Sequence, residues 1–432
     1  MSETCEPEWA AFAAIDWADQ KHFWRLVPAG SRQQQAGELD NTPEAVDAWA
    51  TELAERFGGR PIAVCLEQAR GSLVYMLTKY AHLVLYPVHP STSAAYRETF
   101  YPSGAKSDPS DARLLLELLI QHRDRLRPLR PDTVETRLLQ LLVEQRRRMV
   151  DEKTRQSHRL TACLKLYFPQ LLQWFEDVDA PLPCALLERW PSLGELQRVH
   201  ACALRKFFHE HNCRSEELIE SRIQAISAAQ SATRDAAVLE AAALKARQLV
   251  ALLEVLRRNI QELDQRIAEV FAQHEEAFLY TSLPGAGPAL EPRLLVALGT
   301  DRDRYHTAEE LQCYSGIAPV TERSGKSVWV HWRFGCPKFL RQTFHEYAQH
   351  SIAKSEWARA YYDHAREGGR SHHAVIRSLA YKWIRIVFRC WRDRKPYDEE
   401  VYMRALQRRA SPITKLKWES CAGFQKLTAN PS

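Results

Sequence analysis

Lys106-Ser107-Asp108-Pro109-Ser110-Asp111-Ala112-Arg113 is the stretch that sets the reading of the whole chain. It puts two carboxylates three residues apart, between the turn formers Pro102, Ser103 and Gly104 and the apolar run Leu114, Leu115, Leu116, Leu118, Leu119 and Ile120. That run predicts a helix. Ser107 or Asp108 can cap it, and Pro109 suits its first turn. Residues three apart share a helix face, so Asp108 and Asp111 can hold a divalent cation between them. The same pair also complements the positive end of the helix dipole. Taken alone, that plainer reading is the stronger one; two carboxylates upstream change the balance.

Upstream, Ala11-Phe12-Ala13-Ala14-Ile15 is a short apolar strand ending at Asp16, and Phe23-Trp24-Arg25-Leu26-Val27 is a second strand. Thr42-Pro43-Glu44 opens a helix, with Val46, Trp49 and Leu53 at helical spacing and Gly58-Gly59 as its stop. Pro61 to Leu66 is a buried strand that ends at Glu67. A helix over about 71–80 and a strand over 83–88 follow. This alternation predicts an α/β layer with a mixed sheet, in which functional groups gather at the carboxyl ends of strands. Asp16 and Glu67 sit at such ends. Four carboxylates on one edge repel one another unless Mg2+ or Mn2+ neutralises them. That arrangement suits a two-metal phosphoryl-transfer site.

A length of 432 residues allows two or three domains, and a hydrophobic content of 45% supports real cores. No apolar run is long enough to span a bilayer. The acidic start, Met1 to Trp9, has no secretory pattern. Ten cysteines are scattered without metal spacing; they are expected to be reduced, mostly buried thiols of a cytoplasmic protein. A net charge of +5 does not by itself indicate nucleic acid, so the clustering of Lys and Arg matters more.

Downstream, Leu138, Leu142, Met149, Leu160 and Leu164 give residues 130–165 a partial apolar stripe. Arg146, Arg147, Arg148, Lys153, Arg155, Arg159 and Lys165 load the rest. This is either the solvated face of a long helix or a face that contacts phosphates. Residues 166–235 break into short helical pieces. Leu249, Leu253, Leu256, Ile260, Leu263, Ile267 and Val270 follow a 4,3,4,3,4,3 spacing, a heptad seam. It predicts a long helix paired with residues 135–165 or with another subunit. Leu283-Pro284-Gly285-Ala286-Gly287-Pro288 is a helix–helix turn, similar to helix-hairpin-helix turns whose amides meet DNA phosphates. Ser324 lies in the turn Arg323-Ser324-Gly325-Lys326, with Arg333, Lys338 and Arg341 downstream. A turn serine is most often only that, but cations around it suit a nucleophile that attacks a phosphodiester. Residues 356–390 read as helical and basic-aromatic. The tail after Ser411 is patternless and expected to be disordered.

These residues resemble the DEDD-type insertion-sequence transposases, the bridge-RNA-guided serine recombinases. The resemblance rests on Ala14-Ile15-Asp16, Cys65-Leu66-Glu67 and Lys106 to Arg113 at one end. At the other it rests on Leu283 to Gly287, Gly316-Ile317-Ala318-Pro319, Arg323-Ser324-Gly325 and Ser355 to Ala360. It implies an α/β plus α architecture: a RuvC-like (RNase H-like) DEDD domain over 1–128, a helical coiled-coil region with an inserted subdomain over 129–277, a transposase domain over 278–410 and a tail over 411–432. It implies Mg2+ (or Mn2+) held by Asp16, Glu67, Asp108 and Asp111. Ser324 would be the nucleophile that forms a phosphoserine link to DNA. Arg146, Arg147, Arg148, Arg155, Arg159, Arg323, Lys326, Lys338 and Arg341 would hold nucleic acid. The implied partners are DNA, a structured guide (bridge) RNA and further copies of the chain, dimer to tetramer, with no membrane. Cys336-Pro337 departs from the basic, glycine-containing stretch usual at that point. Two rivals differ in chemistry: a RuvC-like junction resolvase that uses water as nucleophile, and a non-catalytic scaffold.

Overall fold

A computed structural model describes residues 8–100 and 108–409, with the side chain of Asp108 outside that description. Residues 101–107, where a turn was expected, the first seven residues and the tail expected to be disordered also lie outside it. The chain divides into two compact units that meet in sequence at Pro131 and Asp132.

The first unit is built on five strands: β1 (Ala11–Asp16), β2 (Lys21–Pro28), β3 (Gln35–Asp40), β4 (Ile62–Leu66) and β5 (Leu83–Pro87). Their order is β3-β2-β1-β4-β5, with β2 antiparallel to both neighbours and β1, β4 and β5 mutually parallel. β4 is buried at every position, the continuous apolar run expected of a parallel strand covered on both faces. Helices α1 (Pro43–Phe57) and α2 (Ser72–Leu77) cover one face, packing Val46, Trp49, Leu53 and Leu73 on Ala13, Ile15 and Val64. The Thr42 hydroxyl caps α1 by accepting from the Ala45 amide, and Gly58 closes it in the left-handed conformation. After α3 (Pro90–Phe100), α4 (Asp108–His122) covers the other face, with Leu115, Leu116, Leu118 and Leu119 on Ala14, Ala63 and Cys65. β3 and α3 are poorly marked in the sequence. β3 is an edge strand that buries only Leu39, and α3 buries only Ser93.

The second unit is helical. α5 (Val134–Tyr167) and α11 (Ala236–Gln273) run antiparallel: Thr136 bonds His274, Arg146 pairs with Asp264, and the Cys163 thiol donates to the Ala242 carbonyl. The heptad seam of α11 thus has α5 of the same chain as its partner. On α5 the buried stripe runs through Leu139, Val143, Leu160, Cys163 and Leu164, while Leu138 is 37% exposed; the expected stripe is displaced by one residue at its start. Between the long helices lie α6 (Leu171–Trp174), α7 (Pro181–Arg189), α8 (Leu193–Gln197), α9 (Ala201–Glu210) and α10 (Glu216–Ala228). They form their own core, Phe168, Leu186, Phe207 and Phe208, against the adjoining ends of α5 and α11.

The opposite ends enter a larger core built by α12 (Ala277–Thr281), α13 (Gly287–Leu298), α14 (Ala308–Tyr314), α15 (Lys338–Ser351), α16 (Glu356–Glu367) and α17 (His372–Asp393); the last described helix is α18 (Glu399–Arg408). Buried Trp357, Trp383 and Trp391 centre this core, and each indole N–H is satisfied, by Tyr397, Ser351 and the Gly299 carbonyl. Between α14 and α15 a hairpin of β6 (Val320–Ser324) and β7 (Ser327–His331) is exposed at nearly every residue. Of the eight described cysteines, all free, only Cys65, Cys163 and Cys184 are buried; the expectation of mostly buried thiols is corrected, because Cys202 and Cys313 lie on exposed helix faces. No described helix is long and apolar enough to cross a membrane.

Candidate active site

Asp16 ends β1, and Glu67 follows the last residue of β4. The parallel register pairs Ile15 with Leu66, so the two carboxylate residues stand level on adjacent strands, about 4.8 Å apart at the backbone. Side chains alternate along a strand. Asp16 therefore shares a face with Ala14, and Glu67 with Cys65, the face that α4 covers. Asp111 lies in the first turn of α4 and is only 4% exposed. Asp108 begins the same helix.

α3 ties these groups together. Ser93 donates its hydroxyl proton to Glu67 Oε1 at 2.5 Å, and Arg97 donates to Asp111 Oδ1 at 2.6 Å. Ser110 adds a longer bond of 3.3 Å to the same oxygen. Ser93 and Arg97 are four residues apart, one above the other on α3, so a single face of α3 serves both Glu67 and Asp111. Neither Ser93 nor Arg97 stands out in the sequence; their spacing after Pro90 is the one available signal. Beneath the carboxylates, burial and then the charge of Glu67 push the Cys65 thiol up to about 12, which removes it as a nucleophile.

Among the described residues no three Asp, Glu, His or Cys side chains stand close enough to hold one ion together. The donors assembled here are nevertheless all carboxylate oxygens, the set that a hard divalent cation takes. The Arg97 guanidinium already supplies one positive charge against nearly buried Asp111.

Ser324 is the last residue of β6, at the exposed end of the hairpin. Gly325 and Lys326 form the two-residue loop, and Gly325 has φ +57, the sign required at the first central position of a II′ turn. Ser324 pairs with Ser327 and Glu322 with Trp329. Ser324, Ser327, Glu322 and Trp329 therefore share one face, and Thr321, Arg323, Val328 and Val330 the other. Ser327, directly opposite Ser324, is a second hydroxyl that the motif alone did not flag. His331 Nε2–H donates to Glu322 Oε1 at 2.9 Å, and this pair raises the imidazole above its ordinary value.

The cations divide into two groups. Arg323, Lys326 and Lys338 are exposed around the hairpin, and Arg148, Arg155 and Arg159 are exposed along α5. Arg155 is paired with Glu152, and Arg159 reaches Gln156. Arg146 and Arg147 are more engaged: Arg146 pairs with Asp264, and Arg147 with Asp151 and Glu346. Arg341 donates to Cys336 Sγ and to the carbonyls of Arg333 and Phe334. It holds the chain that leaves the hairpin, and this gives Cys336 an internal role. A Cβ on Gly316 would collide with the Cys336 sulfur. The turn at Leu283 to Gly287 also has an internal explanation: Gly285 (φ +79) leaves room for the His350 carbonyl, 2.6 Å from where a Cβ would be.

Residues 13–169 match a family described as a transposase, the DEDD type of IS110 elements. Residues 278–363 match the transposase family IS116/IS110/IS902. Among curated proteins, the chain is 27% identical to the "Mini-circle putative transposase for IS117" of Streptomyces coelicolor, over 91% of this chain and 97% of that one. It is 25% identical to a 43.6 kDa protein of insertion element IS110 from the same organism, over 90% and 96% of the two chains. A pilin gene-inverting protein of Moraxella bovis is 25% identical over 33% of this chain and 47% of its own.

Proposed function

The chain belongs to the IS110 family of transposases, enzymes that cut and rejoin DNA, and from that premise we propose that it does so by serine attack on phosphodiesters at a metal-assisted site. The observation that carries this reading is the placement of Ser324. It stands at the open end of a hairpin, between Arg323 and Lys326, beside a glycine loop with no atom close to it. A phosphodiester can reach its Oγ without any rearrangement of the core. In the step, the Oγ–phosphorus bond forms and the bond from phosphorus to a deoxyribose oxygen breaks. The serine gives up its proton, and the displaced oxygen takes one up and leaves as a hydroxyl. Rejoining runs the same exchange backward. Neighbouring cations offset the charge that develops on the phosphoryl oxygens.

The strand order β3-β2-β1-β4-β5, with carboxylates at the ends of β1 and β4, supports reading the first unit as a RuvC-like domain. Asp16, Glu67, Asp108 and Asp111 would hold Mg2+ or Mn2+, which supplies charge stabilisation at the scissile phosphate. Ser93 and Arg97 orient Glu67 and Asp111. The exposed arginines of α5 suit the backbone of DNA or of an element-encoded guide RNA. The working form would be a homo-oligomer, dimer to tetramer. The gene-inverting name of one relative fits an enzyme that rejoins what it cuts.

The test is covalent trapping. Protein, Mg2+, the RNA flanking the element and junction DNA are mixed, denatured and resolved on a gel. A protein–DNA adduct in wild type that is absent in Ser324→Ala is the expected result, with Asp108→Ala losing it as well. Cleaved DNA without any adduct would replace the serine with water as nucleophile. An adduct that survives Ser324→Ala but not Ser327→Ala would move the nucleophile across the turn.

A further inference from the structure

The hairpin carries more aromatic surface than a connecting element needs. Trp329 is 58% exposed, Phe334 78% and Trp332 44%. Large apolar side chains so exposed, and so close together, mark a contact surface. Three of the rings form an ordered stack. Trp329 and His331 lie 4.2 Å apart with planes 30° from parallel, and His331 and Phe334 lie 5.8 Å apart at 21°. Trp332 is not part of it: the Arg377 guanidinium of α17 covers its ring, 3.1 Å from the centroid, and anchors the base of the hairpin.

The stack lies on one particular face. Trp329 pairs with Glu322 and His331 with Val320, while Ser324 pairs with Ser327. By alternation, Ser324, Ser327, Trp329 and His331 all point the same way. One register step of about 6.7 Å along the strand separates the Ser324–Ser327 pair from the start of the stack. The opposite face carries Thr321, Arg323, Val328 and Val330, with no ring. The local charge is positive. Arg323, Lys326 and Lys338 are exposed, and the carboxylate near the rings, Glu322, is matched by His331.

We propose that Trp329 and Phe334, with His331 stacked between them as their support, form a stacking platform for unpaired nucleobases of the DNA strand beside the phosphodiester that Ser324 attacks, each offering the ring face turned away from His331. This rests on the reading of Ser324 given above. Successive bases stack on aromatic side chains while neighbouring cations follow the backbone, and a ring row on the serine's own face positions the strand along the hairpin. A duplex presents no base face to such a row. The platform therefore selects DNA that is locally melted at the point of exchange.

The experiment uses the full chain and a short single-stranded DNA oligonucleotide with 2-aminopurine at its centre, a base whose fluorescence is quenched by stacking. Wild-type protein is expected to quench it. Trp329→Ala and Phe334→Ala are each expected to relieve the quench and to weaken binding on the order of tenfold or more, the scale of one base–aromatic stack. Trp329→Phe should keep most of both. These rings are exposed, so circular dichroism should be unchanged. Ser324→Ala should bind and quench like wild type. The platform and the nucleophile therefore fail separately: a wrong serine shows in the trapping gel alone. Unchanged quenching in both alanine variants overturns the proposal. So does a preference for RNA of the same sequence. A smaller oligomer by sedimentation with unchanged quenching also overturns it, and would give the surface to a second copy of the chain.

Discussion

Arg97 and Asp111 show what one side chain can do at this site. Asp111 is nearly buried, and Arg97 is its guanidinium partner. Removing one member of a buried pair strands the other, which costs about 3–5 kcal/mol when both are fully desolvated; here Arg97 is 21% exposed, so about 2–4 kcal/mol is expected. Arg97→Ala should therefore lower the melting temperature in EDTA. Millimolar Mg2+ should return part of the loss, and more than it adds to wild type, since the cation takes over the charge at Asp111. Equal Mg2+ response in both proteins would remove the metal from this set of carboxylates. At the hairpin, the Glu322 bond raises His331 above its ordinary value, with the Trp332 carbonyl as the second cause. A raised imidazole stabilises the fold fully below its unfolded value, and this is lost as pH rises through the folded one. Glu322→Gln should bring the His331 titration, followed by NMR, back toward ~6.5. Hairpin order should then be lost at lower pH than in wild type.

At the scale of elements, the α5–α11 pair separates buried from exposed positions within a single turn. Leu253 is fully buried in the seam, and the adjacent Leu252 is 50% exposed. Leu253→Ala should cost about 2–5 kcal/mol, and Leu252→Ala no more than about 0.5 kcal/mol, measured by urea unfolding. Equal losses would mean that the helix is covered on both sides in solution. Elements of this kind were legible in advance. Seven apolar residues at heptad spacing announce a seam, and unbroken runs such as Ile62 to Leu66 announce a buried strand. β3 showed only as a possible strand and α3 not at all, because each buries a single residue and so leaves no periodicity to read. That gap mattered for the site. The carboxylates were found from strand ends and a helix start, whereas Ser93 and Arg97 come from an element that hydrophobic pattern cannot reveal.

At the scale of the molecule, three cores serve three tasks. The sheet and its helices set the level of Asp16 and Glu67. The tryptophan-centred helical core carries the hairpin through Trp332 and Arg377. The α6–α10 core closes the far end of the long helices. The family matches take in only the α5 edge of that last core, Leu160 to Phe168, and residues 170–277, which hold helices α6–α10, lie between them. The sequence marked it as irregular, and no motif there points to chemistry.

The antiparallel pairing of α5 with α11 has a consequence for how the chain is made. The Thr136–His274 bond joins residues 138 apart. On a ribosome adding about 5–20 residues per second, the start of α5 waits roughly 7–28 s for its partner. The α6–α10 core draws only on the near ends of the two helices, so it closes before the seam does. Folding then runs back along the pair from that clasp toward Thr136, against the direction of synthesis. In this interval the apolar stripe of α5, Leu139 and Val143 among it, is uncovered and open to mispairing with another copy.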